Sequence, residues 1–146
     1  MANINQIIRQ GIYTRLVGAT NTFRTAITLS GTYYKLFYHI APQLFPGTTT
    51  AMTLPYVVFD FLPINQEKDS ANKYYDLIIQ FNVASNTQTD CENISGYLFD
   101  RLEDSESSLS FTGYENVIIK REPYIPPFLV DNVWNATVQY RLEIQI

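Results

Sequence analysis

Apolar and polar residues alternate along several stretches of the chain, and this period of two predicts β-strands. Residues 133–146 alternate throughout and form the most regular of these stretches. Their predicted inner face consists of Trp134, Ala136, Val138, Tyr140, Leu142, Ile144 and Ile146. Residues 74–83 and 114–121 predict two further strands. Residues 54–61 are largely apolar on both faces, so we expect this strand to lie in the middle of the sheet.

Two other stretches carry apolar residues at helical spacing. Over residues 4–16 these residues follow the spacing i, i+3, i+4, i+8 and i+12, which is one face of a helix: Ile4, Ile7, Ile8, Ile12 and Leu16. Thr87 and Asp90 are spaced nearly as in a capping box and predict the start of a second helix over residues 87–102. Its apolar stripe is Cys91, Ile94, Leu98 and Leu102. We therefore predict an α+β fold: a two-layer sandwich in which both helices pack on one face of a mostly antiparallel or mixed sheet, as a single domain over residues 1–146.

Three segments are less regular. Residues 22–29 and 32–39 favour a hairpin that turns at Ser30 and Gly31. Residues 62–73 are polar and too long for a tight turn, so we expect a loop that reaches outward to make contacts. Residues 124–130 contain prolines that predict an irregular segment without regular strand pairing. The apolar side chains of this last segment either contact a partner or fold back onto the core, and the sequence leaves both alternatives open.

Composition narrows the classes of function. The 146 residues fit one domain, and 46% of them are hydrophobic, which is enough for a sizeable core. Charged residues make up 16%, below the roughly 25% of an average domain, which favours a surface partly covered by neighbours. The net charge is −4, and Lys120–Arg121 is the only adjacent basic pair. Binding to duplex nucleic acid is disfavoured, because neutralising phosphates requires clustered Lys and Arg.

Cysteine content and hydropathy indicate a reducing compartment and no membrane span. The single cysteine, Cys91, cannot form an intramolecular disulfide. Residues 1–10 lack the charged start and apolar run of a signal peptide. No run of 18 apolar residues occurs, so we expect no transmembrane helix.

The sequence contains no convincing catalytic, cofactor or metal motif. His39 lacks a recognisable acid–base partner, and Cys91 lies in an apolar helical stripe, where a thiol acts as a small hydrophobic side chain. One His and one Cys exclude the usual structural zinc sites within one chain. The cluster of acidic residues at positions 100–106 favours a solvated face over a calcium site. We therefore expect neither an enzyme nor a bound cofactor or metal.

The order of these elements resembles the tail-completion, or tail-terminator, family of long-tailed bacteriophages. The resemblance spans residues 4–146, and its most specific part is Ala41-Pro42-Gln43 followed by residues 54–59, Leu-Pro-Tyr-Val-Val-Phe. The helix spacing that follows this segment also agrees with the family. Residues 19–34 depart from the family pattern, because this part of the chain is longer than usual.

The resemblance implies a protein that assembles as a homohexameric ring on the head-proximal end of the tail tube. Such a ring stops tail growth and joins the tail to the head connector, or stopper, protein. DNA would pass through its lumen without specific binding, and the protein would be located at the tail–neck junction of the virion after synthesis in the bacterial cytoplasm. A closed ring requires head-to-tail contacts between identical subunits.

The family motif does not identify the residues that make these contacts, so we choose them by the composition of the two segments. Glu67, Lys68 and Asp69 are expected to make polar contacts from the long loop. Ile125, Phe128 and Leu129 are expected to make apolar contacts from the proline-rich segment. Alternative functions are another neck or head–tail joining protein, including one of a contractile tail. From other classes, the alternatives are a small bacterial ligand-binding or enzyme subunit and a nucleic-acid-handling factor, which the acidic balance opposes.

Overall fold

The computed structural model describes residues 4–30, 33–44, 51–68, 73–103, 109, 111 and 114–145. These residues form three helices and eight strands. The helices are α1 (Ile4–Val17), α2 (Thr22–Ile27) and α3 (Gln88–Leu102). The strands are β1 (Thr28–Ser30), β2 (Tyr33–Tyr34), β3 (Leu36–Tyr38), β4 (Tyr56–Lys68), β5 (Lys73–Ser85), β6 (Glu115–Arg121), β7 (Ile125–Val130) and β8 (Val133–Gln145). In this part of the chain, no helix is both long and apolar enough to cross a membrane.

The main sheet has the strand order β3-β4-β5-β8-β6, and β7 pairs with β8 farther along the same side as β6. Strand β3 runs parallel to β4, whereas the other pairs in this sheet are antiparallel. Strands β1 and β2 form a separate small sheet. The predicted α+β sandwich with a mixed, mostly antiparallel sheet is confirmed.

The core lies between one face of the sheet and the helices. Alternate residues of β4, β5 and β8 point into this core. Phe59 of β4 pairs with Phe81 of β5, which pairs with Val138 of β8. The predicted stripe of α3, from Cys91 to Leu102, is buried against β5 and β8. The buried residues of α1 are Ile8, Ile12, Leu16 and Val17. Both helices therefore follow the prediction, and α3 has the predicted cap: the Thr87 hydroxyl accepts a hydrogen bond from the Asp90 amide at 3.1 Å.

The predicted first hairpin is shorter than expected. Residues 28–30 pair with residues 33–34, but residues 22–27 are helical rather than extended. The cause is a local capping residue, Asn21, whose side chain accepts a hydrogen bond from the Arg24 amide at 2.9 Å. The side-chain amide of Asn21 also donates a hydrogen bond to the Leu16 carbonyl oxygen at 2.8 Å. This bond joins the end of α1 to the start of α2.

The predicted loop over residues 62–73 is wrong for all residues of it that the structure describes. Strand β4 continues to Lys68, which pairs with Lys73 at the start of β5, so only residues 69–72 lie outside the described part of the chain. The sequence predicts a loop here because it contains Pro63, and proline usually marks the end of a strand. A register shift between Pro63 and Asn65 accommodates it. The expectation that residues 54–61 form the central strand is also wrong, because β5 and β8 occupy the centre of the sheet.

The proline-rich segment forms a strand as well. We expected the prolines to prevent regular pairing, but β7 pairs with β8 from Ile125 to Val130. Its register shifts between Ile125 and Phe128, where Pro126 and Pro127 stand. An edge strand tolerates proline, because the missing N–H groups are needed only on a side that has a partner.

Candidate functional site

Three surfaces of the molecule are candidates for contacts: the open face of the sheet, the β7 tip and a cavity beside β3. The open face is the side of the sheet opposite the helices, and neighbouring polar side chains satisfy one another there. The Gln139 side-chain amide donates to the Gln80 oxygen at 3.2 Å, and Gln80 in turn donates to Asn82 at 3.3 Å. The Thr137 hydroxyl donates to the same Asn82 oxygen at 3.1 Å. These groups carry no net charge, so this part of the face is hydrophilic without attracting phosphate.

A carboxylate–guanidinium pair lies farther along the open face. Asp76 is only 6% exposed, and the Arg141 guanidinium binds both of its oxygens, with Nε at 2.9 Å from Oδ1. This hydrogen bonding raises the pKa of Arg141. Asp76 pairs across the sheet with Asn65, directly beside the register shift of β4. The ion pair therefore joins β5 and β8 beside the register shift of β4.

The distal hairpin, defined as Glu67, Lys68 and Lys73, ends this part of the sheet. Strand β8 pairs with β5 as far as Tyr74, so the hairpin is backed by a third strand. Glu67 and Lys68 lie at the end of β4, whereas Asp69 lies outside the described residues. Two of the predicted polar contact residues, Glu67 and Lys68, thus belong to the end of a long strand.

The outer edge of β4 begins where β3 ends. The β3–β4 pairing stops at Tyr38 and Phe59. Just beyond it, the Asp60 carboxylate accepts one hydrogen bond from the Phe61 amide and lies 2.9 Å from His39 Nδ1. His39 is 72% exposed, so this exposed pair closes the end of a strand and does not resemble a buried acid–base site.

The β7 tip consists of Ile125, Phe128, Leu129 and Val130, and their side chains are exposed. The exposed fractions are 46% for Ile125, 45% for Phe128 and 53% for Leu129. The alternative that these side chains fold back onto the core therefore does not hold. Tyr124 makes that inward contact instead, with its ring edge-on to Phe99 of α3 at 5.4 Å.

A two-residue turn holds the β7 tip in place. Asp131 and Asn132 connect β7 to β8 and have φ angles of 50° and 64°. Positive φ at both central residues defines the turn that matches the twist of a β-hairpin, and Asp and Asn tolerate this conformation best among residues other than glycine. The apolar side chains of the tip are therefore displayed on an ordered hairpin.

An open cavity of about 280 Å³ lies near the opposite edge of the sheet, between α1 and β3. We call it the α1–β3 cavity. It is lined by Arg9, Gln10, Tyr13, Leu36, Tyr38 and Phe59. The Arg9 guanidinium carbon lies 5.0 Å from the centre of the Tyr38 ring, so a cation and aromatic rings share the cavity wall. The sequence did not single out these residues, because they come from three separate elements.

Neither of the remaining candidates for chemistry gains support from the fold. Cys91 is fully buried, its thiol donates to the Val83 carbonyl oxygen at 3.6 Å, and burial raises its pKa to about 11. A thiol with that pKa stays protonated near neutral pH and is a poor nucleophile. In the part of the chain that the structure describes, no group of three or more His, Cys, Asp or Glu side chains is placed to hold a metal.

Comparison with known proteins adds a likeness of fold. No family model and no curated protein matches the sequence. A chain from a solved structure described as the virion of a native gene transfer agent particle is similar over 100% of both chains, with a TM-score of 0.70 and 10% identity. A second solved chain, which carries no functional name, has a TM-score of 0.60 and 15% identity over 97% of this chain and 96% of its own. At these identities the likeness shows a shared fold.

Proposed function

We propose that this chain is a structural protein of a phage or phage-like particle that forms a hexameric ring on the head-proximal end of the tail tube. The ring ends tail polymerisation and joins the tail to the head connector. The observation that carries the proposal is the full-length likeness of fold to a chain of a gene transfer agent virion. The resemblance of the sequence to the tail-completion family supports the particular position in the tail. In this role the protein is not an enzyme and needs no cofactor.

The surfaces described above suit a protein that works through contacts. The distal hairpin, with Glu67 and Lys68 at the end of β4, would bind the tail tube protein or the connector through polar contacts. The exposed β7 tip would make the apolar contacts. A net charge of −4 and neutral amides on the open face disfavour tight binding of phosphate, which suits a ring through which DNA passes. Assembly would take place in the host cytoplasm and leave the protein at the tail–neck junction of the virion.

Deleting the gene tests this function. In a lysate examined by negative-stain electron microscopy, we expect DNA-filled heads beside unattached tails, many of them overlong, because nothing stops tube growth. Supplying the gene on a plasmid should restore joined particles. Unattached tails of normal length would reduce the role to head–tail joining, as for another neck protein. Intact infectious particles would refute the proposed function altogether.

Charge reversal tests the polar contacts at the distal hairpin. Replacing Glu67 and Asp69 with lysine in the complementing plasmid should reduce the yield of joined particles, because opposite charges at an interface are replaced by repulsion. The matched control reverses two exposed carboxylates of α3, Glu92 and Asp100, which changes the net charge by the same amount. Equal yields for both double variants would exclude Glu67 and Asp69 from the contact.

A further inference from the structure

The β7 tip is an apolar surface that cannot be covered by adding a strand. Pro126 and Pro127 lack N–H groups, so the outer edge of β7 cannot form a regular ladder with another chain. Apolar side chains on an ordered hairpin can still enter a cavity of a partner, and they lose little conformational freedom in doing so. The partner of the β7 tip should therefore offer a cavity instead of a strand edge.

The α1–β3 cavity has the properties that such a partner needs. The nearly buried Leu36 and Phe59 line its floor, and the Tyr38 ring shares its wall with Arg9, Gln10 and Tyr13. An apolar cavity of about 150 Å³ accommodates benzene, so a cavity of about 280 Å³ has room for a Leu or Phe side chain. Its lining also carries a positive charge on Arg9, and the β7 tip is followed directly by the exposed acidic residue Asp131.

These two surfaces lie at opposite edges of the same sheet. Strand β3 forms one edge, and β7 lies beyond β8 on the other side. A surface and its complement at opposite sides of one molecule cannot meet within that molecule. They meet between identical copies in head-to-tail order, and such contacts close into a ring when the rotation between subunits permits it.

We propose that the β7 tip of one copy inserts Leu129 and Phe128 into the α1–β3 cavity of the next copy, with Asp131 facing Arg9. The occupant of the cavity is thus a second copy of this chain. The inference deepens the proposed function by naming the two surfaces that join neighbouring subunits, and it rests on that function for the closure of the ring. The contact itself is between two copies and is testable without tail or head proteins.

Single engineered cysteines distinguish this contact from other arrangements. Leu129→Cys is placed in one copy and Gln10→Cys, at the cavity, in a second copy that carries a mass tag. We expect a disulfide between the two copies under mild oxidation, forming at least tenfold faster than with a Lys120→Cys control, whose site on β6 is also exposed. Cys91 stays in place in all variants, because it is buried. Leu129→Cys copies that link to one another, or to the control as fast as to Gln10→Cys, would overturn the proposal.

A charge exchange provides a second and independent test. Arg9→Glu and Asp131→Lys should each weaken self-association at least threefold, as measured by sedimentation equilibrium. The chain that carries both changes should self-associate as the unchanged chain does, because each contact then regains opposite charges. Failure of the double variant to recover would overturn the pairing of these residues. If the disulfide and the exchange both fail while the deletion lysate still shows overlong tails, this contact is wrong and the proposed function stands. If the contact forms but the deletion leaves particles intact, the proposed function is wrong.

Discussion

The thiol of Cys91 offers a direct measure of how α3 is seated on the sheet. The side chain is fully buried between α3 and β5, and burial raises its pKa to about 11. At pH 8 a thiol of this pKa is about 0.1% ionised, whereas a free cysteine of pKa about 8.5 is about 24% ionised. Because the thiolate is the reacting species, ionisation alone should slow labelling of the native protein by about 200-fold.

Labelling with a chromogenic disulfide reagent tests this prediction, with Cys91→Ala/Gln88→Cys as the control. Gln88 is exposed at the start of the same helix, so its replacement should react like a free thiol. We expect the native rate for Cys91 at pH 8 to lie at least about 200-fold below that of the control, and the rate in denaturant to match that of the control. A native rate within tenfold of the control at pH 8 would refute the burial of this thiol.

Two further predictions concern local signals that position the candidate surfaces. Thr87→Ala removes the cap of α3 and should lower the free energy of unfolding by about 1 kcal/mol, measured by urea denaturation; Thr89→Ala, at an exposed site of the same helix, should change it by less than about 0.5 kcal/mol. Asn132→Val forces a β-branched residue to a φ of 64° and should cost about 1–2 kcal/mol, whereas Asn132→Gly should leave stability nearly unchanged. Equal stability of the two Asn132 variants would contradict the turn assigned between β7 and β8.

Two positions along the edges of the main sheet limit strand addition by other chains. At the β7 edge, Pro126 and Pro127 remove the N–H groups that an added strand would need. At the other edge, where β3 ends, the Asp60 carboxylate already accepts the hydrogen bond of the Phe61 amide. At these two positions, contacts with another copy therefore depend on side chains, which are more selective than backbone ladders.

The sequence by itself determined the elements whose signals are local. The stripe from Cys91 to Leu102 and the cap at Thr87 predicted α3, because both signals depend on residues that lie three or four positions apart in the sequence. The alternation over residues 133–145 defined β8, because every second side chain of a strand faces the core. The sequence also contains the cap at Asn21 that starts α2, although the threonine-rich run after it predicts a strand.

The tertiary structure alone decided which segments pair. Residues 62–68 and β7 form strands because a neighbouring strand supplies hydrogen bonds, and a register shift accommodates the prolines in each. No local pattern encodes such a neighbour, since strand preference depends on the surroundings more than helix preference does. The α1–β3 cavity could not be predicted from the sequence either, because its lining comes from α1, β3 and β4, which are separated along the chain. The exposure of Ile125, Phe128 and Leu129 was likewise decided by the position of β7 at an edge of the sheet, not by their apolar side chains.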